Sequence, residues 1–322
     1  MRFVASRLLK GVLVLFVIAV LNFFLIRLAP GDPAQVMAGE AGAADAEYVE
    51  QLRERFGLNR PLPEQLWIYL RGYATLDLGY SVRQGEPVAD LILERLPATL
   101  LLTGTAFAIS LVLGTVLGAL AAARQGRWSD SAITTAALVF YATPLFWVAL
   151  MSQIVFSLRL GWVPNVGFET VGGGYTGLAR WLDIGHHLIL PALTLGLFFT
   201  ALYARMMRAS MLEVAGADFV KTARAKGLAP GAITRRHVAR NAILPVVTLA
   251  GLQAGQLVGG AVLTETVFAW PGIGRLMFDA LAQRDYQLLL GVFFVSSAMV
   301  VLFNLVTDLA YRVADPRIGA RG

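Results

Sequence analysis

The residues that could do chemistry in this chain are few, and their spacing argues against most of it. There is no cysteine, which excludes disulfides, thiolate nucleophiles, thiolate-bound zinc and iron–sulfur clusters. The histidines are His186, His187 and His237. Adjacent side chains point in different directions on a helix or a strand, so His186 and His187 do not make the i, i+4 pair of a helical metal site. They read as interfacial histidines at the mouth of a span, and no metal site is expected. Gly172-Gly173-Gly174 has neither the spacing of a phosphate-cradling loop nor the Lys before Ser or Thr that completes one, and no such motif stands elsewhere. There is also no Ser–His–Asp grouping, carboxylate pair or H-E-x-x-H. The chain reads as a non-enzyme that needs no cofactor.

What remains is a segment suited to docking. From Arg205 to Arg240 the chain is rich in basic and small residues. Leu212, Ala215, Phe219 and Ala223 recur at intervals of three, four and four, which predicts one apolar stripe on a helix. Ser210 and Glu213 have capping-box spacing, although a preceding helix could run on through them. Gly227 suits a helix C-terminus, and Ala229-Pro230-Gly231 is a turn that restarts a basic helix. Such a helix fits a groove on another protein, and it equally fits a membrane surface carrying anionic lipid.

The elements that position this segment are membrane spans. The composition is 57% hydrophobic and 15% charged, too little charge to solvate a soluble domain of 322 residues. A bilayer core of about 30 Å needs about 20 apolar residues per helix. Six stretches qualify: about 8–28, 98–123, 132–158, 188–208, 242–265 and 287–311. The first follows Arg2, Arg7 and Lys10 and so resembles a secretory signal, but its apolar run is longer than a signal core, and it reads as a retained span. Most Lys and Arg fall on the side of the 205–240 loop, joined there by only Asp130, Glu213, Asp218, Asp308 and Asp315 among the acids. By the positive-inside rule both termini and this loop are cytoplasmic. The net charge of +6 is then a topology signal, and nucleic acid is not an expected partner.

The segment 29–97 is too long for a mere connection and predicts a small external cap of short helices. Leu66, Leu70 and Tyr73 share one helical face there, and Trp67, Tyr69 and Tyr73 suit the membrane interface. Pro97 is expected in the first turn of the second span. Gly114-x-x-x-Gly118 and Gly251, Gly255 and Gly259 predict close helix packing. The span centres lack the ionisable residues that ion-coupled pumps use, so any uphill transport draws its energy from outside the bilayer. The expected organisation is a tail and first span at 1–28, the cap at 29–97, and a five-span core at 98–322.

The 205–240 segment resembles the EAA loop of ABC importer permeases, whose short coupling helix sits in a cleft of the ATPase subunit. Lys221-Thr222-Ala223 takes the E-A-A position, keeping only its last letter, with Gly227 at the glycine and Ile243-Leu244-Pro245 as the later element. Thr-Ala-Arg-Ala-Lys-Gly-Leu, 222–228, is similar to the peptide/nickel subfamily. Further matches follow in order, among them Arg27-Leu-Ala-Pro-Gly-Asp-Pro-Ala34, Phe56-Gly-Leu-Asn-Arg-Pro-Leu62, Leu76-Asp-Leu-Gly-Tyr-Ser81, Arg95-Leu-Pro-Ala-Thr-Leu100, Glu265-Thr-Val-Phe-Ala-Trp-Pro-Gly-Ile-Gly274 and Asp315-Pro-Arg-Ile318. Gln287 stands where the resemblance leads one to expect Pro.

The resemblance implies an all-α integral membrane protein with six transmembrane helices, a bundle like that of type I ABC importer permeases. The implied function is the permease half of an ATP-driven importer of short peptides in a bacterial-type inner membrane, or of nickel by the same machinery. The implied partners are a second homologous permease, two cytoplasmic ATPases, an external solute-binding protein and membrane lipid. Coupling is expected at Glu213, Phe219, Ala223, Gly227 and Leu228. Trp270-Pro271-Gly272 is expected as an external turn, either near a gate or purely structural. No substrate contact is named, because the binding protein selects the cargo in this family.

Overall fold

The computed structural model describes residues 2–28, 46–55, 59–81 and 83–314, with the backbone alone at 2–4, 26, 48, 52, 55, 254–260 and 308–314. Pro30-Gly31-Asp32-Pro33 of the motif at 27–34 and the motif Asp315-Pro-Arg-Ile318 lie outside the described residues, as do Phe56-Gly-Leu58 and the side-chain surroundings of Gly255 and Gly259.

Among the described residues the helices in chain order are α1 (Arg2–Leu28), α2 (Ala46–Arg55), α3 (Leu62–Ala74), α4 (Val88–Ala123), α5 (Trp128–Ala142) and α6 (Leu145–Ser152), the last continuing as a π-helical stretch, Gln153–Arg159. Then come α7 (Gly177–Ala215), α8 (Asp218–Ala225), α9 (Pro230–Ile233) with a π-helical stretch Thr234–Ala239, α10 (Arg240–Val267), α11 (Ile273–Ala282) and α12 (Tyr286–Ala314). Among the described residues one two-residue antiparallel ladder, Tyr80–Ser81 with Glu86–Pro87, precedes α4.

Ala5–Leu25 of α1, all of α4 and α7, and Tyr286–Thr307 of α12 are each long and apolar enough to cross a bilayer. The predicted stretch 242–265 lies along α10, whose 28 residues extend about 42 Å at 1.5 Å per residue. The stretch at 132–158 departs from expectation. It is a pair of helices, α5 and α6–π, bent by 102°. Pro144 has no N–H to donate and holds Thr143 in an extended conformation, φ −85°, ψ 133°, so the helix cannot continue through them. The apolar run is unbroken there, which is why hydropathy alone reads one span.

The chain divides into two compact units, 1–97 with 272–305 and 98–271 with 306–322. In the first, α3 packs on α1 through Tyr69 against Phe23, and Tyr73 packs on Phe294. Tyr69 and Tyr73 therefore face protein, whereas Trp67 is exposed. The ladder is tied down by a hydrogen bond from Ser81 to Asp285, both buried. Gln287 Nε2 donates to the Leu78 carbonyl at 2.7 Å, a bond that the expected Pro could not make. Pro97 is not in a first turn. The helix begins nine residues earlier at Val88, and Val88, Leu91 and Ile92 are buried.

In the second unit α7 is the central element, packed by α5, α6 and α10. At 39 residues it is longer than a bilayer core requires, and Ser210 lies buried within it rather than capping a new helix. Gly114 and Gly118 bring α4 against α7. A Cβ on Gly114 would stand 2.9 Å from the Thr200 carbonyl oxygen, and one on Gly118 would stand 2.3 Å from that of Ala204. Backbone cannot yield there as a flexible side chain would. Gly118→Ala is therefore expected to force the helices apart, at a cost of about 1–3 kcal/mol. A lowered Tm of the purified protein in detergent checks this, with Gly104→Ala, where a Cβ meets nothing within 4 Å, as the neutral control.

Candidate functional site

The segment expected to dock is folded onto its own bundle. α7 ends at Ala215, and the turn is closed by Gly216 N–H to Glu213 O at 3.1 Å and Ala217 N–H to Val214 O at 3.0 Å. This break interrupts the predicted stripe, leaving Leu212 and Ala215 on one helix and Phe219 and Ala223 on the next. α8 turns Val220 and Ala223 inward, into a buried cluster with Met207 and Met211 of α7, Ile233 of α9 and Ala242 of α10. Ala223, expected among the docking residues, is thus an internal contact. Phe219 and Leu228 point outward, 46% and 42% exposed, and Glu213 is exposed beside them in sequence. Asp218 in the first turn accepts from Lys221 Nζ at 2.8 Å, an exposed i, i+3 pair of small energetic weight.

The end of α8 is closed by a Schellman motif. Gly227 N–H donates to Arg224 O at 2.9 Å, Leu228 N–H reaches Ala223 O at 3.4 Å, and Gly227 sits at φ +76°. A Cβ at Gly227 would meet nothing within 4 Å. Glycine is needed here for its backbone conformation and not for a close approach within the chain.

The same motif, without glycine, builds the turn at Trp270. Ala269 has φ +51°, its N–H donates to Thr266 O, and Trp270 N–H donates to Glu265 O at 2.8 Å. The Trp270 side chain is fully buried. Its indole N–H donates to Ala98 O at 2.8 Å, and its ring meets Phe168 edge-on at 4.8 Å. Glu265, also fully buried, accepts from Thr99 Oγ1 at 2.7 Å. Trp270 is therefore an anchor inside its unit, while Gly272 takes the N-cap position of α11.

Residues 114–320 match the family described as the binding-protein-dependent transport system inner membrane component, and residues 1–103 match the N-terminal part of the same membrane component. The chain belongs to this family. It is 40% identical to the dipeptide transport system permease protein DppB of Alkalihalophilus pseudofirmus, over 97% of each chain. It is 40% identical to the di/tripeptide permease protein DppB of Pseudomonas aeruginosa over 98% of each. It is 39% identical to the glutathione transport system permease protein GsiC of Escherichia coli over 99% of each. Among solved structures, an inward-facing form of the MetNI methionine ABC transporter superposes with a TM-score of 0.57 at 18% identity, covering 70% of this chain and 96% of that one. At that identity the likeness shows the fold, that of a type I ABC importer permease. The protein is thus a multi-pass inner-membrane permease component.

One feature of this permease was not visible in its sequence. Arg208, seven residues before the end of α7, donates from Nε and Nη2 to the two carboxylate oxygens of Asp130 at 2.7 and 2.8 Å. Asp130 is buried in the first turn of α5 and also accepts from Gly126 N–H at 3.1 Å. The paired geometry and the positive end of the helix both favour the carboxylate. This bond holds the start of α5 against the stretch of α7 that leads into α8. Asp130→Ala and Arg208→Ala are each expected to lower Tm, and the double variant no further than the worse single one. A double-mutant cycle by thermal unfolding checks it, and additive losses would show that the pair is not coupled.

Proposed function

We propose that the chain is the permease subunit of an ATP-driven importer of short peptides, coupled to its ATPase through α8. In this reading both termini and the 205–240 segment are cytoplasmic. The assembly adds a second homologous permease, two cytoplasmic ATPases and an external solute-binding protein. The observation that carries the coupling role is the two-sided build of α8. Its inner face is buried with α7 and α10, and its outer face presents Phe219, with Leu228 exposed just past its end. A partner that grips Phe219, Leu228 and Glu213 would move the ends of two spans together. That is the requirement for nucleotide to bias a two-state alternation of access. Ala223 and Gly227 then serve as the inner contact and the turn that keep this surface in shape. In the same reading the Trp270-Pro271-Gly272 turn acts by anchoring α10 rather than by lining a path.

Short peptides are the cargo best supported, because the relatives matched over nearly their whole length are named for dipeptide, di/tripeptide and glutathione transport. The nickel alternative draws no support from His186 and His187, whose rings each lie 2.9 Å from a backbone carbonyl oxygen, of Trp162 and Asp183 respectively. Titration of the cognate binding protein with di- and tripeptides and with nickel separates the two.

Phe219→Asp is expected to leave Tm unchanged, since the side chain is exposed, and to reduce peptide uptake and transport-dependent ATP hydrolysis more than tenfold. Normal uptake by a stably inserted variant would contradict the coupling role. At Gly227 the cost within the chain is conformational, about 1–2 kcal/mol for a left-handed non-glycine residue. Gly227→Ala and Gly227→Leu should therefore melt alike. An activity lower for Leu than for Ala would report a partner surface closing over that turn.

A further inference from the structure

We propose that α3 is an interfacial helix whose outer face, Trp67 and Ile68 with Arg71, rests in the headgroup region of the bilayer. Its depth is set by what its inner face touches. The end of α1 is marked by Arg27, whose guanidinium lies over the Phe23 ring at 3.5 Å and donates to the Phe23 carbonyl and to Gln65 of α3. An arginine at the end of an apolar span keeps its charge at the water boundary. Gln65 is therefore at that boundary. One turn further along α3, Tyr69 packs on Phe23, inside the apolar stretch Ala5–Leu25. One turn beyond that, Tyr73 packs on Phe294, inside the apolar stretch Tyr286–Thr307. From Tyr69 to Tyr73 the helix thus runs beside residues that lie within spanning stretches.

The opposite face then cannot look into bulk water along its whole length. It carries Trp67, 67% exposed, and Ile68, also exposed, with Arg71 between them on the helical wheel. An indole, an aliphatic side chain and a long-stemmed cation are the types that settle at the headgroup level, where the ring meets acyl chains and the guanidinium reaches phosphate. α1, against which α3 packs, also exposes Leu21, Phe24 and Leu25. A docked soluble protein would fit the exposure of Trp67 but not the depth fixed by Phe23 and Phe294.

The absence of cysteine from the chain makes the test direct. Trp67→Cys and Ile68→Cys are labelled singly with a nitroxide in the assembled transporter in nanodiscs, after cysteines of the partner subunits are blocked, and Val171→Cys, at a position 99% exposed, serves as the aqueous control. Power-saturation measurements compare collisions with oxygen, which partitions into lipid, and with a water-soluble nickel chelate. Labels at 67 and 68 are expected to show a several-fold higher ratio of oxygen to chelate accessibility than the label at 171. A ratio equal to that at 171 would place α3 in water. Loss of access to both reagents would place it under a protein partner. Either result overturns the proposal. If one variant fails to insert, the other decides it.

Discussion

Val220 is fully buried although it sits on an eight-residue helix outside the long spans, and it is buried among residues from the ends of α7 and α10. An isolated helix of that length is not stable in water. α8 exists because its inner face is part of the bundle core, so that displacing it would uncover Val220 and Ala223. Continuity of packing between α8 and the ends of α7 and α10 is thus part of the fold. The Asp130–Arg208 bond extends that continuity to α5, so three helices converge on the stretch that leads into α8.

A second constraint is that the last carbonyls of each helix find donors. The same closing motif recurs after α3, α8, α10 and α11, with Leu76, Gly227, Ala269 and Arg284 at the left-handed position. It satisfies the last carbonyls and turns the chain within two residues. At Ala269 the reversal delivers Trp270 into the core, where its indole N–H finds Ala98 O. A conformational cost of about 1–2 kcal/mol at a non-glycine left-handed residue is there offset by the burial of a large aromatic side chain.

Which of these features could be read from residues alone follows from what each depends on. Gly227 and the Gly114–Gly118 pair are legible, because glycine at a helix end or at a four-residue spacing has few other uses, and the structure gives each the predicted role in turn or close packing. The turns at Leu76, Ala269 and Arg284 carry no such signal. The 102° bend after α5 is hidden because Thr143-Pro144 interrupts hydrogen bonding without interrupting hydropathy. The apolar stripe from Leu212 to Ala223 assumes one helix, and the break at Gly216-Ala217 rotates the second half so that Val220, not Phe219, faces inward. The Asp130–Arg208 pair joins residues 78 apart, a distance over which spacing says nothing. The residue type of Tyr69 and Tyr73 suggests the membrane interface but does not reveal that their rings pack on Phe23 and Phe294.

In the proposed coupling, the outer face of α8 meets the ATPase while its inner face meets this chain. A photoactivatable amino acid placed at 219, 220 or 228 in the assembled transporter tests it most directly. Positions 219 and 228 should crosslink to the ATPase subunit in a nucleotide-dependent manner, and position 220 should crosslink only within the permease. Crosslinks from 219 and 228 to lipid, or to no partner in any nucleotide state, would rule out that coupling.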